Sequence, residues 1–148
     1  MKNSANYGFV CEQLKNLTQG VPHKIANLAN ASALLWQTLP EINWAGFYIL
    51  EREKLVLGPF QGPLACSRIA YGRGVCGTAW KEQRTQVVPD VKQFPGHIAC
   101  SSASKSEIVV PLFDADGNIT AVLDIDSEHL ATFDETDRQW LERIATII

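Results

Sequence analysis

No stretch of the 148-residue sequence approaches the run of about eighteen apolar residues that a membrane-spanning helix needs, so no membrane association is expected. The opening segment MKNSANYGFVCEQLKNL lacks the apolar centre of a secretory signal. A cytoplasmic location is therefore expected, which sets the four cysteines in a reducing compartment where structural disulfides are not expected. Basic residues are few and scattered. Thirteen Lys and Arg against sixteen Asp and Glu give a formal net charge of −3, and without a basic run nucleic acid is not an expected partner. The chain also lacks a close CxxC pair, a Walker loop and a GxGxxG turn, so no bound metal and no nucleotide or other cofactor is expected. It has no repeat, linker or low-complexity segment, and residues 1–148 are expected to form one domain. Exclusion of these classes leaves small molecules as partners.

The composition present, 46% hydrophobic and 20% charged, is that of an ordinary globular protein. From Tyr7, the apolar positions Val10, Cys11, Leu14 and Leu17 recur at three- and four-residue steps, which predicts an amphipathic helix ending before Gly20. Pro22 suits the first turn of a second helix, whose stripe is Ile25, Leu28, Ala29, Ser32, Leu35, Trp36 and Leu39, stopping at Pro40. Trp44 to Leu50 and Lys54 to Phe60 are rich in aromatic and branched residues and read as a hairpin. A Gly- and Pro-rich loop then leads to a short strand near Cys66 to Ile69, a short helix from Gly74 to Lys81 and a short strand from Val87 to Val91. The stretch from Lys92 to Lys105 is irregular. Glu107 to Phe113 and Ile119 to Ile125 are strong strands joined by the turn-forming Asp114 to Asn118. Asp134 caps a last helix carrying Trp140, Leu141, Ile144 and Ile148, with Phe133 placed to staple its first turn. Helices at both ends of a central meander predict an α+β fold with an antiparallel sheet.

Cys11, on the apolar stripe of the first helix, reads as a small buried hydrophobe. Cys66, Cys76 and Cys100 fall in the loop-rich middle, where binding residues collect. Cys76 sits in GVCG, whose glycines permit close backbone approach and open a helix N-terminus, a setting that lowers a thiol pKa. His97 precedes Cys100 by three residues and is near enough to modulate it, although it reads equally as a hydrogen-bonded loop residue. The same Cys66, Cys76, Cys100 and His97 are a rival zinc set that lacks the paired spacing of known structural sites, and no local signature supports a papain-like pair. In LDIDS, Asp124 and Asp126 are two apart and share one face of a strand, opposite Leu123 and Ile125. Such alternation is also that of a sheet with one solvated face, and Glu107 carries the same ambiguity.

Read together, GPFQGPLACSRIAYGRGVCGTAW, VPDVKQFPGHIACSSASKSEIVVPLF and LDIDS closely resemble the free methionine-R-sulfoxide reductases, a GAF-domain family of thioredoxin-dependent enzymes. The match runs from Asn43 to the last helix. SEIVVPL is common to many GAF domains, whereas GVCG, FPGHIAC and LDIDS in this order are specific. The resemblance implies a GAF-like α+β fold and reduction of free L-methionine-R-sulfoxide. It places Cys100 as the nucleophile, Cys66 and Cys76 as resolving thiols, and Trp44, Glu107, Asp124 and Asp126 in the substrate pocket. Thiol chemistry accords with this. Reduction leaves a sulfenic acid on the nucleophile, which a second thiol converts to a disulfide exchangeable with an external dithiol. An acid is needed near the sulfoxide oxygen, and Glu107 or one of the aspartates supplies it if burial raises its pKa, while another acid stays ionised to hold the substrate ammonium. Trp44 would pack on the thioether methyl end. The R-preference is implied by resemblance alone. One departure is Ser101, where the family often has an acid. The rival reading is a non-catalytic GAF sensor of a small ligand or of oxidation. A homodimer through the terminal helices is the default assembly for such domains.

Overall fold

The computed structural model describes residues 4–96 and 103–148. Its frame is one antiparallel sheet built from β1 (Trp44–Glu51), β2 (Lys54–Gln61), β3 (Arg68–Ala70), β4 (Gln86–Val88), β5 (Ser106–Phe113) and β6 (Ile119–Ser127), in the order β3-β2-β1-β6-β5-β4. The α+β reading and both hairpins hold. The third strand lies slightly beyond Cys66, which precedes it in an extended loop, and the fourth ends before Pro89, which cannot donate to a ladder. A 3₁₀ turn, Val91–Gln93, follows, its first residues held by Asp90 accepting from the Lys92 N–H at 3.0 Å.

Alternation along the central strands divides the molecule into two layers. Ala45, Phe47, Ile108, Val110, Leu112, Leu123 and Ile125 face a core shared with α1 (Ser4–Thr18), α2 (Lys24–Thr38) and α4 (Glu135–Ile147). Trp44, Tyr48, Val109 and Val122 face the other way, onto α3 (Gly74–Glu82) through Val75, Cys76 and Ala79. This second layer contains the candidate site.

The expected helical stripes hold in part. In α2 the buried residues are Asn27, Leu28, Ala31, Ser32 and Leu35, whereas Ile25 is 60% exposed and Ala29 and Trp36 are also exposed. The polar members of the buried stripe are tolerated because they are satisfied. Asn27 Nδ2 donates to Val21 O at 3.1 Å, and the Ser32 hydroxyl lies 2.8 Å from Leu28 O and 3.1 Å from Pro59 O. In α1 Val10, Cys11 and Leu14 are buried as expected, but Leu17 is exposed. Asp134 caps α4 with a reciprocal box, accepting from the Asp137 N–H while its own N–H donates to Asp137 Oδ2. Tyr7 of α1 donates its hydroxyl to Asp137 Oδ1, tying the two terminal helices together. Phe133 is buried in the core, but the fourth helical position is Arg138, so the apolar partner of the expected staple is missing.

Among the described residues, no helix is long and apolar enough to cross a membrane.

Candidate active site

Register brings the acids together. β5 and β6 pair so that Glu107 lies opposite Asp126 and Val109 opposite Asp124, while β1 sets Trp44 beside Asp126 and Gly46 beside Asp124. Trp44, Asp126 and Glu107 thus form one cross-strand row on the α3 side of the sheet. The face is covered rather than solvated: Glu107 is 7% exposed and Asp124 6%, with Asp126 half-buried. These three acids, Trp44, Tyr48 and Cys76 line a cavity of about 60 Å³, closed by Leu64 and Ala65 of the loop before β3 and by Arg73, Gly74 and Val75 at the start of α3.

Two close approaches shape it. At Gly46 a Cβ would lie 2.2 Å from the Phe60 Cβ, so only glycine lets β1 and β2 meet at their bulge. At Gly77 a Cβ would lie 2.7 Å from Ala70 O, so glycine seats α3 against the end of β3. Trp44 is fixed on three sides, by stacking on Phe60 at 5.1 Å and Tyr48 at 6.0 Å and by donation from its indole Nε1 to Pro63 O at 3.0 Å.

Crowding three acids in a desolvated pocket sets their protonation. Burial pushes Glu107 well above the usual carboxylate range, reinforced by the charges of Asp124 and Asp126. Asp126 is likewise well above its ordinary value through burial and the Asp124 charge. Asp124 is raised by burial, but hydrogen bonding from Glu107 and Cys76 opposes the rise. Protons are therefore retained first on Glu107 and Asp126, and Asp124 is the acid best able to stay ionised. Its Oδ1 is buried without a hydrogen-bond partner.

Cys76 corrects the sequence reading of its thiol. It does sit in the first turn of α3, but burial and the charges of Asp124, Glu107 and Asp126 drive its pKa well above the ordinary thiol value. The helix terminus is outweighed, because a thiolate 4% exposed among carboxylates is costly. Cys11 and Cys76 are free thiols, whereas Cys66 is disulfide-bonded. Cys100, His97 and Ser101 lie outside the described residues.

The model of the GAF domain family matches residues 27–148. The "GAF domain-containing protein A" of Dictyostelium discoideum is 52% identical over 143 residues, covering 96% of this chain and 89% of the relative. The free methionine-R-sulfoxide reductase of Escherichia coli is 49% identical over 144 residues, covering 97% of this chain and 87% of the relative. The chain belongs to the GAF-domain free methionine-R-sulfoxide reductases, a family of oxidoreductases. A solved structure of the Neisseria meningitidis free methionine-R-sulfoxide reductase in complex with its substrate is also similar. It has a TM-score of 0.93 at 51% identity, covering 99% of this chain and 89% of that one.

Within this member of the reductase family, several supporting residues escaped the sequence reading. Tyr48 shares the pocket face with Trp44 and donates its hydroxyl to Cys66 O at 3.0 Å, so it holds the Cys66 loop against the pocket. Alternation from Trp44 would have found its face, though not this bond. Beyond the Glu107–Asp126 pair, the next cross-strand pair is Ser106–Ser127. The Ser106 hydroxyl donates to His129 O at 2.6 Å, that of Ser127 to Glu41 O at 2.6 Å, and Thr132 Oγ1 lies 2.7 Å from Ser127 Oγ. This hydroxyl knot pins the strand ends that carry two of the acids.

Proposed function

We propose that the protein reduces free L-methionine-R-sulfoxide to L-methionine, with residues 1–148 acting as one GAF domain. The observation that carries this reading is the convergence of Glu107, Asp124 and Asp126 with Trp44 in one covered pocket, bordered by the loop that bears the disulfide-bonded Cys66. The similarity to free methionine-R-sulfoxide reductases supports the substrate.

In this reading Asp124 receives the substrate ammonium, which supplies the missing partner of its buried Oδ1. The carboxylate is received at the start of α3, where the positive end of the helix dipole and Arg73 favour an anion. The thioether end packs on the Trp44 ring. A peptide bond at the substrate nitrogen would leave Asp124 buried and uncompensated, which selects the free amino acid.

Cys100 attacks the sulfoxide sulfur as its thiolate. Glu107, holding its proton by burial, donates to the oxygen, and the oxygen passes to Cys100 as a sulfenic acid while methionine leaves. Cys66 then attacks that sulfenic acid, water departs, and a disulfide remains. Cys66 takes the resolving role over Cys76 because Cys66 is the one held in a disulfide while Cys76 is a free, buried thiol. A thioredoxin-like dithiol exchanges with the disulfide and restores both thiols. A cytoplasmic setting suits such a cycle, since disulfides there are characteristically catalytic or redox-sensing. We also place the protein as a homodimer, with the exposed Phe9, Ile25 and Trp36 of α1 and α2 available for the contact.

The test is NADPH consumption in a thioredoxin-coupled assay, offering the R- and S-epimers of free L-methionine sulfoxide separately. Turnover of the R-epimer alone is expected. Failure of fully reduced protein to turn over either epimer would replace the enzyme reading with that of a ligand-binding GAF sensor.

A further inference from the structure

The proposed cycle gives Cys76 no task, yet its placement is specific. Its Sγ, one oxygen of Glu107 and one of Asp124 lie within 4.8 Å of one another, and all three side chains are buried. Among the described residues no Lys or Arg forms an ion pair with either acid. Among the described residues the Asp124 Oδ1 atom has no hydrogen-bond partner. Two carboxyl groups and a thiol are thus gathered in one buried cluster, with Glu107 and Cys76 bonded to Asp124 and one Asp124 oxygen left over.

We propose that Cys76, Glu107 and Asp124 form a site for a divalent transition-metal ion of borderline softness, zinc foremost, which excludes the substrate from the pocket when bound. The donor set decides the class of ion. Magnesium and calcium take oxygen ligands and leave a thiolate unused, whereas zinc takes thiolate and carboxylate together. Three protein ligands leave a fourth position, which opens toward the adjoining cavity and can hold water. Metal–sulfur and metal–oxygen bonds of ~2.3 and ~2.1 Å place tetrahedral ligand atoms roughly 3.5 Å apart, so the cluster need contract by only about 1 Å at its widest. The Cys76 thiol and the Glu107 carboxyl lose their protons to solvent on binding, and the ion's two charges offset two of the three negative charges on the thiolate and the two carboxylates. An ammonium group can satisfy Asp124 but gains nothing from a thiol. The presence of Cys76 in the cluster is what separates a metal site from an amine site.

Exclusion of substrate rests on the pocket being the one used in the proposed reaction; metal binding itself does not. Cobalt(II) is the probe, titrated into the full chain with the Cys66 disulfide intact, so that Cys76 is the pocket thiol available. One cobalt per chain is expected, with a thiolate-to-cobalt charge-transfer band in the near ultraviolet that one equivalent of zinc removes. Cys76→Ser should abolish the band, with Cys76→Ala as the second variant should serine in that buried place impair folding. Cys11→Ser should leave the band unchanged, and Asp124→Asn should weaken binding more than tenfold. Absence of a thiolate band, or its persistence in both Cys76 variants, would overturn the site. Saturating methionine should weaken cobalt binding more than tenfold. If cobalt binds through Cys76 and methionine has no effect, the exclusion of substrate is overturned while the metal site stands.

Discussion

Replacing Glu107 by glutamine should make the protein more stable as pH rises, while removing most of its turnover. Glutamine is close in shape to the protonated carboxyl that burial and the Asp124 and Asp126 charges favour here. In the unfolded chain Glu107 titrates near its ordinary value of about 4.3. In the folded chain it keeps its proton well above that. Within this window the native state binds more protons than the unfolded state, so wild-type stability falls as pH rises. The rate is about 1.4 kcal/mol per pH unit for one retained proton. The loss begins at the unfolded value and ends once pH passes the raised folded value. The variant has no such proton to lose. It should match wild type near pH 4 and exceed it by about 1.4 kcal/mol for each pH unit above the unfolded value until the raised folded value is passed. For a chain of this length each such unit corresponds to a shift of about 3–6 °C in Tm. Urea unfolding at half-unit intervals from pH 4 to 8, with the disulfide kept intact in both proteins, measures the difference directly. Stability curves that stay parallel across the range would refute the reasoning, because they would mean that Glu107 ionises alike in both states. The same substitution removes the proposed proton donor, so kcat should fall by about 10²- to 10⁴-fold. A gain in stability together with a loss of rate is the signature of an acid retained for chemistry.

Cys100→Ser should abolish turnover of the R-epimer, and mass spectrometry after exposure to substrate should find no added oxygen on the protein; full turnover by this variant would remove Cys100 from the nucleophile's place. Gly46→Ala should cost about 1–3 kcal/mol in chemical denaturation, because its Cβ would stand 2.2 Å from that of Phe60 and one strand of the hairpin must shift. Trp44→Phe should raise KM for the sulfoxide more than it lowers kcat, since it keeps a ring but loses the indole bond to Pro63 O; an unchanged KM would place the substrate elsewhere. Ser127→Ala removes the bonds its hydroxyl makes with Glu41 O, the His129 N–H and the Thr132 hydroxyl, and should cost roughly 1–3 kcal/mol in stability, read by thermal unfolding.

What the sequence disclosed about the site was direction, and what it withheld was cover. Period-two alternation put Asp124 and Asp126 on one face, and the ladder bears this out, with Leu123 and Ile125 on the other. The pairing of Glu107 with Asp126 needed the hairpin register, which the Asp114–Asn118 turn fixes once the Asp114 side chain is seen accepting from the Asp116 and Asn118 N–H groups. Whether those acids met water or protein could not come from one strand's pattern. That is decided by α3 and the loop at Leu64 and Ala65, distant in sequence, which border the face and help turn Glu107 and Asp126 into proton-holding carboxyls. Cys76 shows the same limit from the other side. Its local motif, glycine-flanked at a helix start, argued for a lowered thiol pKa, and the motif's geometry is present. The opposing charges sit on β5 and β6, across the pocket, and they reverse the sign. Two members of the α2 stripe departed for a related reason. Ile25 and Trp36 belong by composition to an apolar stripe, but the satisfied Asn27 is buried beside the expected Leu28, Ser32 and Leu35, because α2 is oriented by its fit to the sheet and not by hydrophobicity alone. A residue's neighbours along the chain set where its side chain points. The elements that fold over it set what it becomes chemically.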